Sequence, residues 1–207
     1  MADLVISNLQ SRVPALVVQQ LAVLNLCLHG AEITGLNGPS GSGKSLLLRA
    51  IADLDLSTGD VSLAGCSRAS MAGHEWRKRV AYLPTESAWW FDTVGEHFLQ
   101  TDIASLQQLG FEADVLSWKV TRISSGEKQR LALARCLSRL PDALLLDEPT
   151  ASLDESHTRD VEQTVSDYMG KRKVPVFWVS HDLGQLKRLS DQAMEIQLDG
   201  TLSALHL

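Results

Sequence analysis

The stretch Gly38-Pro39-Ser40-Gly41-Ser42-Gly43-Lys44-Ser45 constrains this chain more than any other. Three glycines within six residues fit neither a helix nor a strand interior, where each costs about 0.5–1 kcal/mol relative to alanine. They mark a loop. Before it stands the apolar run "EITGLN", which reads as a strand, and after it "KSLLLRAIADL", which reads as a helix closing near a "STGD" turn at 57–60. A strand, a glycine loop and a helix in that order aim backbone N–H groups at an anion, at the positive end of the helix dipole. The pattern G-x-x-x-x-G-K-[ST] adds a lysine charge for the β and γ groups of a nucleotide and a hydroxyl for Mg2+. Gly38, Pro39, Ser40, Gly41, Ser42, Gly43, Lys44, Ser45 and Leu46 are therefore the candidate phosphate site, with Ser45 on the metal.

A second anion-binding start stands about eighty residues on. Residues 122–137 read "RISSGEKQRLALARCL". Ser124, Ser125 and Gly126 precede a leucine- and alanine-rich helix, and the spacing of Leu133, Leu137 and Leu140 predicts that one face is buried. Two such helix starts are more than one nucleotide needs.

The remaining patterns describe an α/β fold. Short strands are expected over about 4–9, 15–19, 23–29 and 32–38, then at "DVSLAG" and "RVAYLP". Residues 93–140 carry helical patterns and suggest an inserted subdomain. "DALLLDEPT" is a buried strand, 154–170 a helix, "VPVFWVS" another buried strand, 182–190 a helix, and 192–198 and 201–206 final strands. Strands alternating with helices predict a mainly parallel, doubly wound sheet beside an antiparallel N-terminal part. "ALLLDEP" carries Asp147 to the C-terminal end of a central strand, where α/β sheets bind ligands. Asp147 is a candidate Mg2+ carboxylate and Glu148 a candidate general base. His181, after "FWVS", falls on the same sheet edge and can contact a γ-phosphate.

Composition excludes several alternatives. A net charge of −6 argues against binding nucleic acid over a broad surface. Cys27, Cys66 and Cys136 are far apart with no CxxC pair, so neither a disulfide framework nor a zinc site is expected. "MADLVIS" has no basic segment of a secretory signal. Residues 13–31 lack any charged side chain, but Gln19, Gln20, Asn25 and His29 interrupt the run. Leu24, Leu26 and Leu28 alternate with polar neighbours there, so strands are expected and not a membrane span.

Taken in order, the phosphate loop at 38–45, "ISSGEKQR" at 123–130, the acidic strand at 143–148, "SLD" at 152–154 and His181 resemble the ATP-binding subunits of ABC transporters over nearly the whole chain. The resemblance implies a single P-loop ATPase domain over 1–207. Its nucleotide-binding core would span 1–91 and 141–207, and a helical subdomain at 92–140 would carry the signature motif. It implies ATP and Mg2+ as cofactors, with Lys44, Glu148 and His181 as catalytic residues. It also explains the second helix start. Two such domains face each other head to tail, most simply as a homodimer, and each signature helix binds ATP held by the other chain. Ser124, Ser125, Gly126 and Asp154 would then act across the dimer seam. A separate membrane permease is the implied partner, docking near the "WWF" cluster Trp89, Trp90 and Phe91, with the protein peripheral on the cytoplasmic face. "LDES" and "WVSHD" look like the metal-export subgroup.

Three departures from the family pattern stand out. The signature is usually Leu-Ser-Gly-Gly-Gln, whereas here it is Ile123-Ser124-Ser125-Gly126-Glu127, which should weaken closure. Thr85 stands where a glutamine usually reaches the metal, and its shorter hydroxyl would reach only through a water. No aromatic residue precedes Trp76, so Ala15 or a neighbour replaces the usual adenine-stacking ring. Against the transporter reading stand a non-transport ATPase of the same superfamily, a small-molecule kinase and a weakly hydrolysing regulatory cassette. The "WWF" cluster has its own alternative, a small core under the helical subdomain.

Overall fold

The computed structural model describes residues 2–11 and 22–207. The strand expected at 15–19, with Gln19, Gln20 and the Ala15 position, lies outside the described residues.

Two sheets organise the molecule. The first is antiparallel, in the order β2-β1-β4-β5, from β1 (Leu4–Ser11), β2 (Leu24–Leu28), β4 (Ser57–Leu63) and β5 (Cys66–Ser67). The second has six strands in the order β10-β9-β3-β8-β7-β6. These are β3 (Ile33–Asn37), β6 (Val80–Leu83), β7 (Ala143–Asp147), β8 (Val176–Val179), β9 (Gln192–Ile196) and β10 (Leu202–Ala204). Five of them run parallel, and β10 returns antiparallel at the edge. The helices are α1 (Lys44–Ile51), α2 (Gly73–Arg79), α3 (Ile103–Gln108), α4 (Ser125–Leu137), α5 (Glu155–Arg172) and α6 (Leu183–Leu189).

The parallel sheet is covered on both faces, which is why its strands read as continuous apolar runs. Alternate residues enter different cores. Leu145, Phe177 and Val179 pack with α1 and the antiparallel sheet. Leu144, Leu146 and Trp178 pack with α4, α5 and α6 on the other face, in the same cluster as Leu106 of α3. This alternation is the period of two set by the pleat.

Several local expectations need correction. Residues 57–60 are not a turn but the start of β4, bulged against β1, whose register shifts between Ser7 and Gln10. Gly59 sits there at φ +83°, where a Cβ would come within 2.2 Å of the Asn8 carbonyl oxygen. The helix after the phosphate loop stops at Ile51 rather than running to Leu54. Residues 93–124 hold one short helix, α3, and three 3-10 turns, not a series of helices. The face of α4 predicted from Leu133, Leu137 and Leu140 is buried at the first two, but Leu140 lies beyond the helix end at φ +54° and is 54% exposed.

Helix α2 was not legible in the sequence. It holds one large apolar side chain, Trp76, which is fully buried and donates its indole N–H to the Ile51 carbonyl at 2.9 Å. That residue pins α2 to the C-terminal end of α1. Trp76→Ala should cost about 3–5 kcal/mol, as for large-to-small changes at other buried aromatics, read as a shift of the urea unfolding midpoint at constant slope.

Candidate functional site

The phosphate loop leaves the C-terminal end of β3, at the middle of the parallel sheet. Its turn is made by Gly38, Gly41 and Gly43 at φ +150°, +80° and +99°. A Cβ on Gly38 would meet the Ile196 carbonyl oxygen at 2.4 Å, so β9 also restricts that position to glycine. Lys44 opens α1, is 6% exposed, and folds back to donate to the Gly38 and Pro39 carbonyls at 2.8 and 3.0 Å. Burial lowers its pKa, while the nearby Glu148 and Asp147 carboxylates act to keep it charged. Ser42 is buried with a hydroxyl that has no partner among the described residues.

A cavity of about 330 Å3 opens on this loop. Ser40, Gly41, Gly43, Lys44, Ser45 and Leu46 line one side, and Glu148 and His181 line the other. Their convergence follows from strand order. β3 has β8 as its neighbour and β8 has β7, so residues just past the three strand ends share one edge. The Glu148 carboxylate and the His181 Nε2 lie 2.9 Å apart. Asp147 ends β7 at 2% exposure, outside the cavity lining, with one carboxylate oxygen accepting from the Tyr82 hydroxyl at 2.9 Å. Burial and that carboxylate raise the Tyr82 pKa, so the phenol stays a donor. Thr85 does lie beside the acidic strand end, but its hydroxyl donates to the Asp147 carbonyl at 3.2 Å.

Glu148 carries an unusual backbone, with φ +50°. A non-glycine residue in the left-handed region is held there by its surroundings, at a cost of order 1–3 kcal/mol. The Glu148 carbonyl is held by the Ala151 N–H at 3.2 Å and by Gln129 on α4. The Gln129 side-chain amide donates to the Glu148 carbonyl at 2.8 Å and accepts from the Ser152 N–H at 3.2 Å. Gln129 is 6% exposed. Neither Gln129 nor Tyr82 was singled out from the sequence, because each acts through partners nearly twenty or more residues away.

The second helix start falls where the sequence placed it and stands outside the Lys44 cavity, but its Ser124 donors are already taken. Ser124 caps α4 in a capping box. Its N–H and hydroxyl both donate to the Glu127 carboxylate at 2.7 Å, and its oxygen accepts from the Glu127 N–H at 3.3 Å. These bonds, the Ser124 hydroxyl first, lower the Glu127 pKa. Gly126 packs against residues 152–153, where a Cβ would come within 3.1 Å of the Ser152 carbonyl oxygen. Asp154 caps α5, accepting from the His157 N–H at 2.9 Å and lying 2.9 Å from its Nδ1. None of Ser124, Ser125, Gly126 and Asp154 lines the cavity at Lys44.

The aromatic cluster is only partly a core. Trp89 packs against the buried core, whereas Trp90 and Phe91 are 65% and 47% exposed. His97, 7% exposed, accepts from the Trp90 and Phe91 N–H groups at 2.9 and 3.0 Å through Nε2, so its Nδ1–H donates to the Thr93 carbonyl at 2.9 Å. Arg135 stacks over Trp89 and Trp90 at 4.5 and 5.3 Å. The cluster borders a groove that continues along Arg77, Lys78 and Arg139.

The ABC transporter family model matches residues 21–151. The tungstate uptake system ATP-binding protein TupC of Peptoclostridium acidaminophilum is 32% identical over 191 residues, covering 86% of this chain and 87% of that protein. The probable iron export ATP-binding protein FetA of Escherichia coli K12 is 30% identical over 187 residues, covering 84% and 83%. Among solved structures, a bacterial Atm1-family ABC exporter with ATP bound superposes with a TM-score of 0.80 at 21% identity. It covers 95% of this chain and 37% of that one, and shows the shared fold.

Gln129→Ala would leave the Ser152 N–H without a partner among the described residues and the Glu148 carbonyl with the Ala151 N–H alone. It should destabilise the chain by about 1–3 kcal/mol, measured by urea unfolding. It should also slow ATP turnover more than it weakens nucleotide binding, since Lys44 and its loop are untouched.

Proposed function

The chain belongs to the ABC transporter family as an ATP-binding subunit, an ATPase that works with a separate membrane permease, and we propose the residues by which it does so. The observation that carries the reading is the cavity at Lys44. There the loop, Glu148 and His181 converge, while the capped start of α4 stands outside. A site complete except for its second anion-binding helix calls for another chain.

In this reading Gly38 to Leu46 bind the ATP phosphates through backbone N–H groups, with Lys44 exchanging its loop carbonyls for phosphate oxygens. The donor set suits a polyphosphate with a hard cation, with Ser45 and Asp147 as ligands and Thr85 linked through water. Mg2+ bound there would neutralise charge on the β and γ oxygens. Glu148 orients the attacking water and takes its proton, and its partner His181 meets the γ-phosphate. Ser124, Ser125 and Gly126 bind the γ-phosphate held by a second copy of the chain, with Asp154 at the seam. To do so the Ser124 N–H and hydroxyl must leave Glu127, which is how the altered signature weakens closure. Residues 92–140 form the helical subdomain, and 1–91 with 141–207 the nucleotide-binding core.

No helix among the described residues is long and apolar enough to cross a membrane. We place the protein on the cytoplasmic face, with the permease docked at Trp90 and Phe91. Arg77, Lys78, Arg135 and Arg139 gather around that groove on a chain of net charge −6, so the docking segment should pair an apolar anchor with acidic residues.

Glu148→Gln should bind ATP and stall hydrolysis, and its mass in solution should then change from monomer to dimer on adding MgATP. Adding Ser124→Arg should keep it monomeric with ATP still bound. A Glu148→Gln protein that binds MgATP yet stays monomeric at high concentration would contradict closure around ATP by the isolated chain. Trp90→Ala should lose about 2 kcal/mol of permease affinity, seen as reduced co-purification with the permease, while the basal ATPase rate of the isolated subunit stays unchanged.

A further inference from the structure

Far from the nucleotide, the end of the antiparallel sheet carries three metal-binding side chains on one face. Leu4 of β1 pairs with Leu28 of β2, so Asp3 and His29, one step outward, stand opposite each other across the ladder. Cys27 lies two residues before His29 on the same strand and so on the same face. The folded geometry brings one ligand atom from each residue to within 4.8 Å of the others. Cys27 Sγ is 3.7 Å from His29 Nδ1, and His29 Nδ1 is 3.8 Å from Asp3 Oδ2.

Those separations are informative. Around a tetrahedral zinc ion with Zn–S near 2.3 Å and Zn–N or Zn–O near 2.0–2.2 Å, neighbouring ligand atoms lie roughly 3.4–3.6 Å apart. These two edges exceed that by a few tenths of an ångström, within reach of a small side-chain rotation, and the third, Cys27 to Asp3, stays within 4.8 Å. The carboxylate is also oriented in advance. Asp3 Oδ1 accepts from the Gly30 N–H at 2.9 Å, and the Asp3 carbonyl accepts from the Ala64 N–H at 3.0 Å. The remaining oxygen, Oδ2, is the one nearest His29. The His29 carbonyl in turn accepts from the Glu32 N–H at 3.2 Å, closing the turn that fixes the histidine's backbone. A hydrogen bond that orients a ligating group is what built metal sites use in their outer shell. Among the described residues, Asp3 has no lysine or arginine within ion-pair distance.

We propose that Asp3, Cys27 and His29 form a binding site for a borderline divalent cation of the zinc class, separate from the magnesium of the nucleotide site. A thiolate, an imidazole and a carboxylate together favour zinc-class ions over magnesium or calcium, which take oxygen ligands. Three protein ligands leave a fourth position for water, so the ion exchanges with solvent rather than being locked into the fold. On binding, the Cys27 thiol releases its proton to solvent and the sulfur takes the metal. The expectation against zinc drawn from the three scattered cysteines considered only Cys–Cys pairs, whereas this site uses one cysteine and a cross-strand carboxylate.

The test is a cobalt titration of the tag-free, reduced, nucleotide-free full chain, because Co2+ reports a thiolate ligand by near-ultraviolet charge-transfer absorption. One Co2+ per chain with that band, displaced by Zn2+, is the expected result. Cys27→Ser should abolish the band, His29→Ala and Asp3→Asn should each weaken binding by about tenfold or more, and Cys66→Ser should leave it intact. ATP binding should be unaltered in every variant, which shows that each is folded. Absence of the band in the unaltered chain, its survival in Cys27→Ser, its loss in Cys66→Ser, or undiminished affinity in Asp3→Asn would each overturn the site.

Discussion

The arrangement depends on one constraint, the parallel register of β3, β8 and β7. Leu36 pairs with Val179, and Val179 with Asp147, so the three strands end level with one another. Neighbouring strands lie about 4.8 Å apart, which puts the phosphate loop, His181 and the two carboxylates within the span of one nucleotide's phosphates. Parallel strands need crossover connections, and the crossovers supply α4, α5 and α6 on one face and α1 on the other. Burial of both faces follows, and with it a floor rigid enough to hold Glu148 in a left-handed backbone conformation.

The same logic separates the two anion-binding helix starts. The start of α1 is free of acidic side chains in its first turn, and its loop is turned by glycine. The start of α4 has supplied its own anion. Glu127 already takes the N–H and hydroxyl of Ser124, so a phosphate from another chain has to compete with a carboxylate. Gln129, one helical half-turn on, also holds the Glu148 carbonyl and the Ser152 N–H, so under the proposed reading a displacement of α4 on capturing a phosphate would be felt at Glu148 of the same chain. One helix would thus meet the proposed second copy with one end while a side chain two residues further holds the backbone beside its own Lys44 cavity.

Much of this was legible in the sequence, for identifiable reasons. The phosphate loop could be read because only glycine satisfies its backbone, and β7 and β8 because double burial forces unbroken apolar runs. The start of α4 could be read from its serines and glycine, but the capping box in which Glu127 takes the Ser124 donors was not foreseen. What else escaped was tertiary. Helix α2 shows no apolar periodicity, since a single tryptophan anchors it. The start of β4 looked like a turn because a bulge opposite Asn8 demands glycine at 59, and glycine in sequence reads as punctuation. Leu140 kept helical spacing past the helix end, where periodicity carries no meaning. Gln129 and Tyr82 are ordinary polar residues until the fold supplies Glu148, Ser152 and Asp147 as partners.

The segment from β6 to the aromatic cluster explains how a groove on the outside can matter to the chemistry. Tyr82, Leu83 and Pro84 line the groove beside Trp90 and Arg135. From that run Tyr82 reaches the acidic strand through the Asp147 carboxylate, and Thr85, the residue after it, through the Asp147 carbonyl. A partner docked at Trp90, as proposed, would press beside a strand end that is hydrogen-bonded directly to the Asp147 carboxylate. A glutamine at 85 could reach the metal itself. The shorter threonine hydroxyl donates to the Asp147 carbonyl, so in this chain Tyr82 provides the only direct side-chain bond from that segment to the Asp147 carboxylate among the described residues. Its phenol is suited to that task, because burial and the neighbouring carboxylate raise its pKa and so keep the donor proton in place.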